Sequence, residues 1–185
     1  MTQQNALETE RSWDGNDVQV RTLFDMNAFA EREAASHLDI LHYYWSSLQI
    51  EKVSLPKVHE FHPSDVLPKA AFSSVGWVDS IADDPRDFVM RDHPENPVYG
   101  LGIELNDTFL SEFPNKMHAK SLLLEYIRCK RWKVPLYHEI EQVIGGISRH
   151  YTRLMLPLVD ESGTVTQIFY GVSPLTPPTP LFIED

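Results

Sequence analysis

The chain has 185 residues, 42% hydrophobic and 23% charged, with a formal net charge of -11. That length supports one domain with a substantial core. The negative charge excludes general binding to nucleic acid or anionic membranes, which carry the same sign. A single cysteine, Cys129, rules out an intramolecular disulfide. No apolar run approaches the ~20 residues of a membrane-spanning helix, and the polar N-terminus lacks the apolar stretch of a secretory signal. A cytoplasmic location is therefore expected.

Residues 1–26 are polar, carry both charge signs and are expected to be a flexible N-terminal segment. Residues 27–54 are expected to be an N-terminal helical segment, with the helix itself running from about Asn27 to Leu48. Ala34, Leu38, Leu41, Trp45 and Leu48 recur at spacings of three and four and make one apolar stripe. The stripe packs either on its own domain or on a second copy. Leu38, Leu41, Trp45 and Leu48 are thus candidates for a homodimer interface.

Residues 55–173 hold the main domain. Ala71 to Ile81 reads as a strand and Phe88 to Asp92 as a second, joined through Asp83-Asp84-Pro85. Two prolines, Pro94 and Pro97, then stop the ladder. Tyr99 to Pro114 reads as short helices and loops. Asn115 can cap a long helix from about Lys116 to Trp132, with Ala119, Leu122, Leu123, Tyr126 and Ile127 on one stripe. From Pro135 to Ser173 three apolar-rich runs are separated by Gly145-Gly146 and Asp160-Glu161-Ser162-Gly163, which predicts an antiparallel meander. Along the middle run, Thr152, Leu154, Leu156 and Leu158 alternate with Tyr151, Arg153, Met155 and Pro157. Residues 174–185 begin as a proline-rich, extended tail.

The order of two strands, a helical middle and three closing strands is that of a PAS domain. The residues strengthen the likeness: LDILHYYWSSL, Leu55-Pro56, HPSDVLP, Trp77-Val78-Asp79, SLLLEYIRCKRWKVPLY and above all RHYTRLMLPLVDESGTV, spread over about Leu38 to Ser173. In these the chain resembles a family of single-PAS proteins common in alphaproteobacteria. It departs from that pattern in DFVMRDHPENPVYGLGIELNDTF, where relatives carry glycine-rich strand and helix segments. The resemblance implies an α+β, PAS-like fold: a five-stranded antiparallel sheet with the long helix and short helices on one face, plus the N-terminal helix. It also implies a non-catalytic regulatory module in signalling, one that senses a small molecule or binds a protein partner.

A ligand pocket would lie between the inner sheet face and the central helices, with Met90, Tyr99, Tyr126, Tyr151, Arg153 and Met155 as candidates. The same residues could simply fill a core. No cofactor or metal is implied. His59 and His62 lack the spacing of a metal motif, the reactive-cysteine segment of flavin-binding relatives is absent, and His118 stands near the start of the long helix without a haem context. Asp83-Asp84 and Glu139-x-Glu141 read as solvated carboxylates. Lys116, Lys120, Arg128, Lys130, Arg131 and Lys133 gather on or after the long helix, either against its negative end or as a patch for an anionic partner. Two other readings stand beside the sensor. One is a small-molecule enzyme using a polar cavity near His93, Tyr99 and Arg153, and the other is a ligand-free structural interaction domain.

Overall fold

A computed structural model describes residues 6–32, 36–49, 54–80, 84, 86, 88–92 and 105–180. The strands are β1 (Ala6–Asp14), β2 (Asp17–Phe24), β3 (Val75–Ser80), β4 (Phe88–Asp92), β5 (Thr108–Phe109), β6 (Leu136–Ile144), β7 (Ile147–Val159) and β8 (Val165–Pro180). The helices are α1 (Met26–Glu31), α2 (His37–Ser47) and α3 (Lys116–Trp132), with short 3-10 turns between. All eight strands join one antiparallel sheet in the order β1-β2-β6-β7-β8-β3-β4-β5.

This overturns the five-stranded, PAS-like architecture expected from the sequence. The five foreseen strands lie side by side as β6-β7-β8-β3-β4, but β1 and β2 extend the sheet beyond β6 and β5 extends it beyond β4. Helices also cover both faces rather than one. The alternation along β7 shows why both must be covered, because every residue from Tyr151 to Val159 is buried. Tyr151 and Met155 face α3 together with Leu122, Tyr126 and Cys129. Leu154, Leu156 and Leu158 face the other way, onto Phe29 of α1 and Leu38, Leu41 and Trp45 of α2.

Residues 1–26, expected to be flexible, contain the β1–β2 hairpin. It turns at Gly15, whose φ of 60° suits the first position of a tight hairpin, and closes on the Asp14–Asp17 pair. The single helix expected from Asn27 to Leu48 is two helices. Asp25 caps α1 through its bond from the Ala28 amide at 2.8 Å. Ser36 and Asp39 cap α2 reciprocally, Ser36 Oγ accepting from the Leu38 amide and Asp39 from the Ser36 amide at 2.7 Å. The expected tail is the far end of β8, where Pro174 to Pro180 runs beside Ile147 to Tyr151. Prolines are tolerated there because β3 pairs only with Gln167 to Gly171, so this part of β8 needs few ladder donors.

The stripe of Leu38, Leu41, Trp45 and Leu48, a candidate dimer interface, packs on this chain's own sheet. Leu38 and Leu41 are fully buried and Trp45 donates its indole N–H to Pro157 O at 3.0 Å. Leu48 packs at the margin of the same cluster. Leu38, Leu41 and Trp45 are therefore occupied from within, and Leu48 is half-buried. Among the described residues no helix is long and apolar enough to cross a membrane.

Candidate functional site

The α3-facing side of the β2, β6 and β7 segment is not apolar. The register aligns Gln19, Gln142 and Arg149 in one cross-strand row, Arg21, Ile140 and Tyr151 in the next, and Leu23, His138 and Arg153 in a third. Helix α3 lies over these rows and presents His118, Leu122, Glu125 and Tyr126, spaced so that they share one face. Asn115 fixes the start of the helix by accepting from the His118 amide at 2.8 Å. Its end is set by Lys133, whose left-handed backbone lets its amide close on Cys129 O at 3.0 Å.

The result is a buried polar layer. Glu125 receives Nη1 of Arg21 and Nη2 of Arg153 on the same oxygen, Oε2. Arg21 and Glu125 are 3% exposed, Arg153 4% and His138 2%. Arg21 also reaches Nδ1 of His118 at 3.1 Å, as does Gln19 Nε2. A guanidinium only donates, so Nδ1 accepts and the neutral ring carries its proton on Nε2. Gln19 Nε2 donates to Gln142 Oε1 at 2.6 Å, and the Tyr151 hydroxyl approaches the same oxygen at 3.5 Å. The Tyr126 hydroxyl meets Met90 Sδ at 3.5 Å.

Charge states follow from this packing. Burial raises the Glu125 pKa, but Arg153, Arg21 and His138 outweigh it and hold the carboxyl at about 2. Burial lowers His138, and Glu125 opposes without prevailing, so its pKa is held at about 3. The hydroxyls of Tyr126 and Tyr151 and the thiol of Cys129 are all pushed up by burial and stay protonated. Several polar atoms in the layer have no hydrogen-bond partner among the described residues: Nε of Arg21 and Arg153, Gln142 Nε2, Gln19 Oε1, Glu125 Oε1 and both His138 nitrogens. His138 Nε2 lies 3.3 Å from Glu125 Oε1 but without hydrogen-bond alignment.

Of the residues foreseen for a pocket, Met90, Tyr126, Tyr151, Arg153 and Met155 all come together beneath α3. Tyr99 and His93 lie outside the described residues. Arg153 is buried and pairs with Glu125. The sequence reading named His118 only to set it aside as a haem ligand, and it missed Gln19, Arg21, Glu125, His138 and Gln142. Two signals pointed to them: Glu125 stands three residues after Leu122 on the buried helical stripe, and His138 stands between Leu136 and Ile140 on the buried side of a strand.

Other candidate chemistry is otherwise engaged. The basic cluster disperses, with Arg128 pairing with Glu8 at 2.6 Å, Lys130 donating to Ser80 Oγ at 2.9 Å and Lys133 to Gly163 O at 2.9 Å. His59 sits 3.2 Å from Glu161. Glu139, Glu141 and His150 bring ligand atoms within 4.8 Å of one another on the opposite sheet face, but the 2.7 Å bond between His150 and Glu139 accounts for that arrangement without an ion. An open depression lined by Val58, Asp79, Ser80, Asp160, Thr166 and Gln167 is separate from the polar layer. No protein-family model, curated protein or solved structure matches the chain.

Proposed function

We propose that this chain is a non-catalytic regulatory module that binds a small polar molecule in the layer between α3 and the β2–β6–β7 part of the sheet. Occupancy adjusts how α3 sits on the sheet, and a protein partner reads the change. The observation that carries this reading is the Arg21–Glu125–Arg153 cluster with its surrounding unsatisfied donors and acceptors. Taking each such charge out of water costs several kcal/mol, and an apolar layer of similar volume would hold the helix at least as well. Convergent polar groups on an otherwise apolar wall are what ligand recognition requires. Catalysis has less support. Burial keeps the Cys129 thiol protonated and therefore a poor nucleophile, and Tyr126 and Tyr151 are poor bases for the same reason.

The test is native mass spectrometry of the full chain purified from cells, followed by a thermal-shift screen against small metabolites. A retained or stabilising molecule that is lost in Arg153→Leu supports the reading. A chain that carries nothing and responds to nothing is a structural domain with a filled interior instead.

A further inference from the structure

We infer that the molecule bound in this layer is a small monoanion, a carboxylate or an oxyanion of similar size, drawn by the guanidinium groups of Arg21 and Arg153. This rests on the layer being a binding site at all. The inference starts from a count of charges that share one buried space. Arg21 and Arg153 supply two positive charges and Glu125 supplies one negative charge. Among the described residues no other group in contact supplies the second negative charge. Tyr126 and Tyr151 stay protonated and His138 stays neutral.

Unmatched groups of both kinds line the layer among the described residues, Gln19 Oε1 and Glu125 Oε1 as acceptors beside the donors, so the charge count sets the sign and the donors supply the contacts. Both guanidinium groups spend an Nη on one carboxylate oxygen and keep an Nε–H unmatched, and Gln142 Nε2 is a further unmatched donor. A carboxylate presents two coplanar acceptor oxygens, which suits the fork of a guanidinium. A neutral polar ligand would satisfy donors but leave the charge uncompensated. A dianion would overshoot the single positive charge left by Arg21, Arg153 and Glu125. The chain's net charge of -11 opposes anions at long range, so selectivity must come from this local pair.

The experiment compares acetate, formate, inorganic phosphate and the neutral isostere acetamide by thermal shift and titration calorimetry, on the full chain dialysed into a halide-free buffer of an uncharged amine. Acetate or formate is expected to stabilise saturably, with acetamide inert and phosphate weaker. Two variants sharpen the outcome. Arg21→Gln balances Arg153 against Glu125 and should abolish the acetate response while remaining folded. Glu125→Gln removes the competing carboxylate and should tighten acetate binding by about tenfold or more. If Glu125→Gln does not fold, Arg21→Gln alone decides. An acetate response that survives in Arg21→Gln overturns the inference. So does binding of acetamide equal to that of acetate, or a neutral molecule retained in native mass spectra, but these last two leave the layer a binding site. No response to any probe, with nothing retained, overturns both.

Discussion

Arg21 and Arg153 belong to strands that are not neighbours, since β6 runs between them, yet both guanidinium groups converge on Oε2 of Glu125. The carboxylate therefore holds two cations apart from their mutual repulsion in a space closed to water. Removing it should be far more damaging than removing the whole cluster. Glu125→Ala is expected to lower stability by about 3–5 kcal/mol, because two buried guanidinium groups lose their counter-charge. The triple change Arg21→Met, Glu125→Leu, Arg153→Met is expected to be neutral or stabilising by about 1–4 kcal/mol. Urea denaturation of the three proteins checks both. Equal losses for the single and triple variants would mean that the charges are individually rather than jointly important.

The same layer sets the response to acid. His138 is held at about 3 against an ordinary value of 6.5, and Glu125 at about 2 against 4.5. Both folded values lie below the unfolded ones, so each group contributes stability that is present above its unfolded value and lost as pH falls toward the folded one. Loss should begin near pH 6.5 through His138 and continue below 4.5 as Glu125 joins it. His37 and His42, also lowered mainly by burial, add to the upper part of this range. His138→Leu should therefore make the stability profile shallower from pH 6.5 down to about 3, leaving Glu125 to drive the fall below 4.5. Denaturation midpoints measured at half-unit pH steps would show this, and an unchanged profile would assign the acid response elsewhere.

Where turns and periodicity were strong, the sequence was enough to place the elements. The Gly145-Gly146 hairpin, both glycines at positive φ, the start of α3 at Lys116 and the two-faced alternation of β7 are all local signals. The β1–β2 hairpin was lost because β1 is exposed along nearly its whole length and so has no apolar face to detect. Its turn was nonetheless written as Asp14-Gly15, and β2 alternates from Val18 through Val20 and Thr22. The polar layer was only half legible. Tyr126, Tyr151 and Arg153 fall on recognisable faces, but Arg21 and Glu125 are adjacent only because α3 crosses the β2–β6–β7 rows, a long-range pairing that no local pattern encodes.

Gly171 of β8 is needed for its lack of a side chain. A Cβ built there would stand 2.7 Å from Leu38 Cδ2 and 2.8 Å from Leu41 Cδ1, close enough that both side chains must shift. The backbone of β8 is thus the floor on which α2 rests. Gly171→Ala should cost about 1–3 kcal/mol by displacing the buried Leu38 and Leu41 side chains from their packed positions. Pairing it with Leu38→Ala should recover part of that loss. A double-mutant cycle by chemical denaturation reads the coupling, and additive losses would show that α2 does not depend on this contact.

A carboxylate placed at Leu41 tests what the α2 stripe is for. The side chain is fully buried, within a cluster that includes Leu38, Trp45, Leu154, Leu156 and Phe169. A stripe that joined two copies would, on Leu41→Asp, release folded monomers with unchanged secondary structure. A stripe that covers the chain's own sheet cannot be relieved by dissociation. The charge must be buried unpaired, or α2 must leave β7 and β8 and expose that apolar surface. The expected outcome is loss of the cooperative thermal transition, or a fall of more than about 4 kcal/mol, accompanied by aggregation rather than a clean change of mass. Tyr43→Asp, on the outward face of the same helix at 78% exposure, should change stability by no more than about 0.5 kcal/mol. Circular dichroism and light scattering on the two variants separate the cases, and a folded, monodisperse Leu41→Asp protein would return the stripe to the role of a subunit contact.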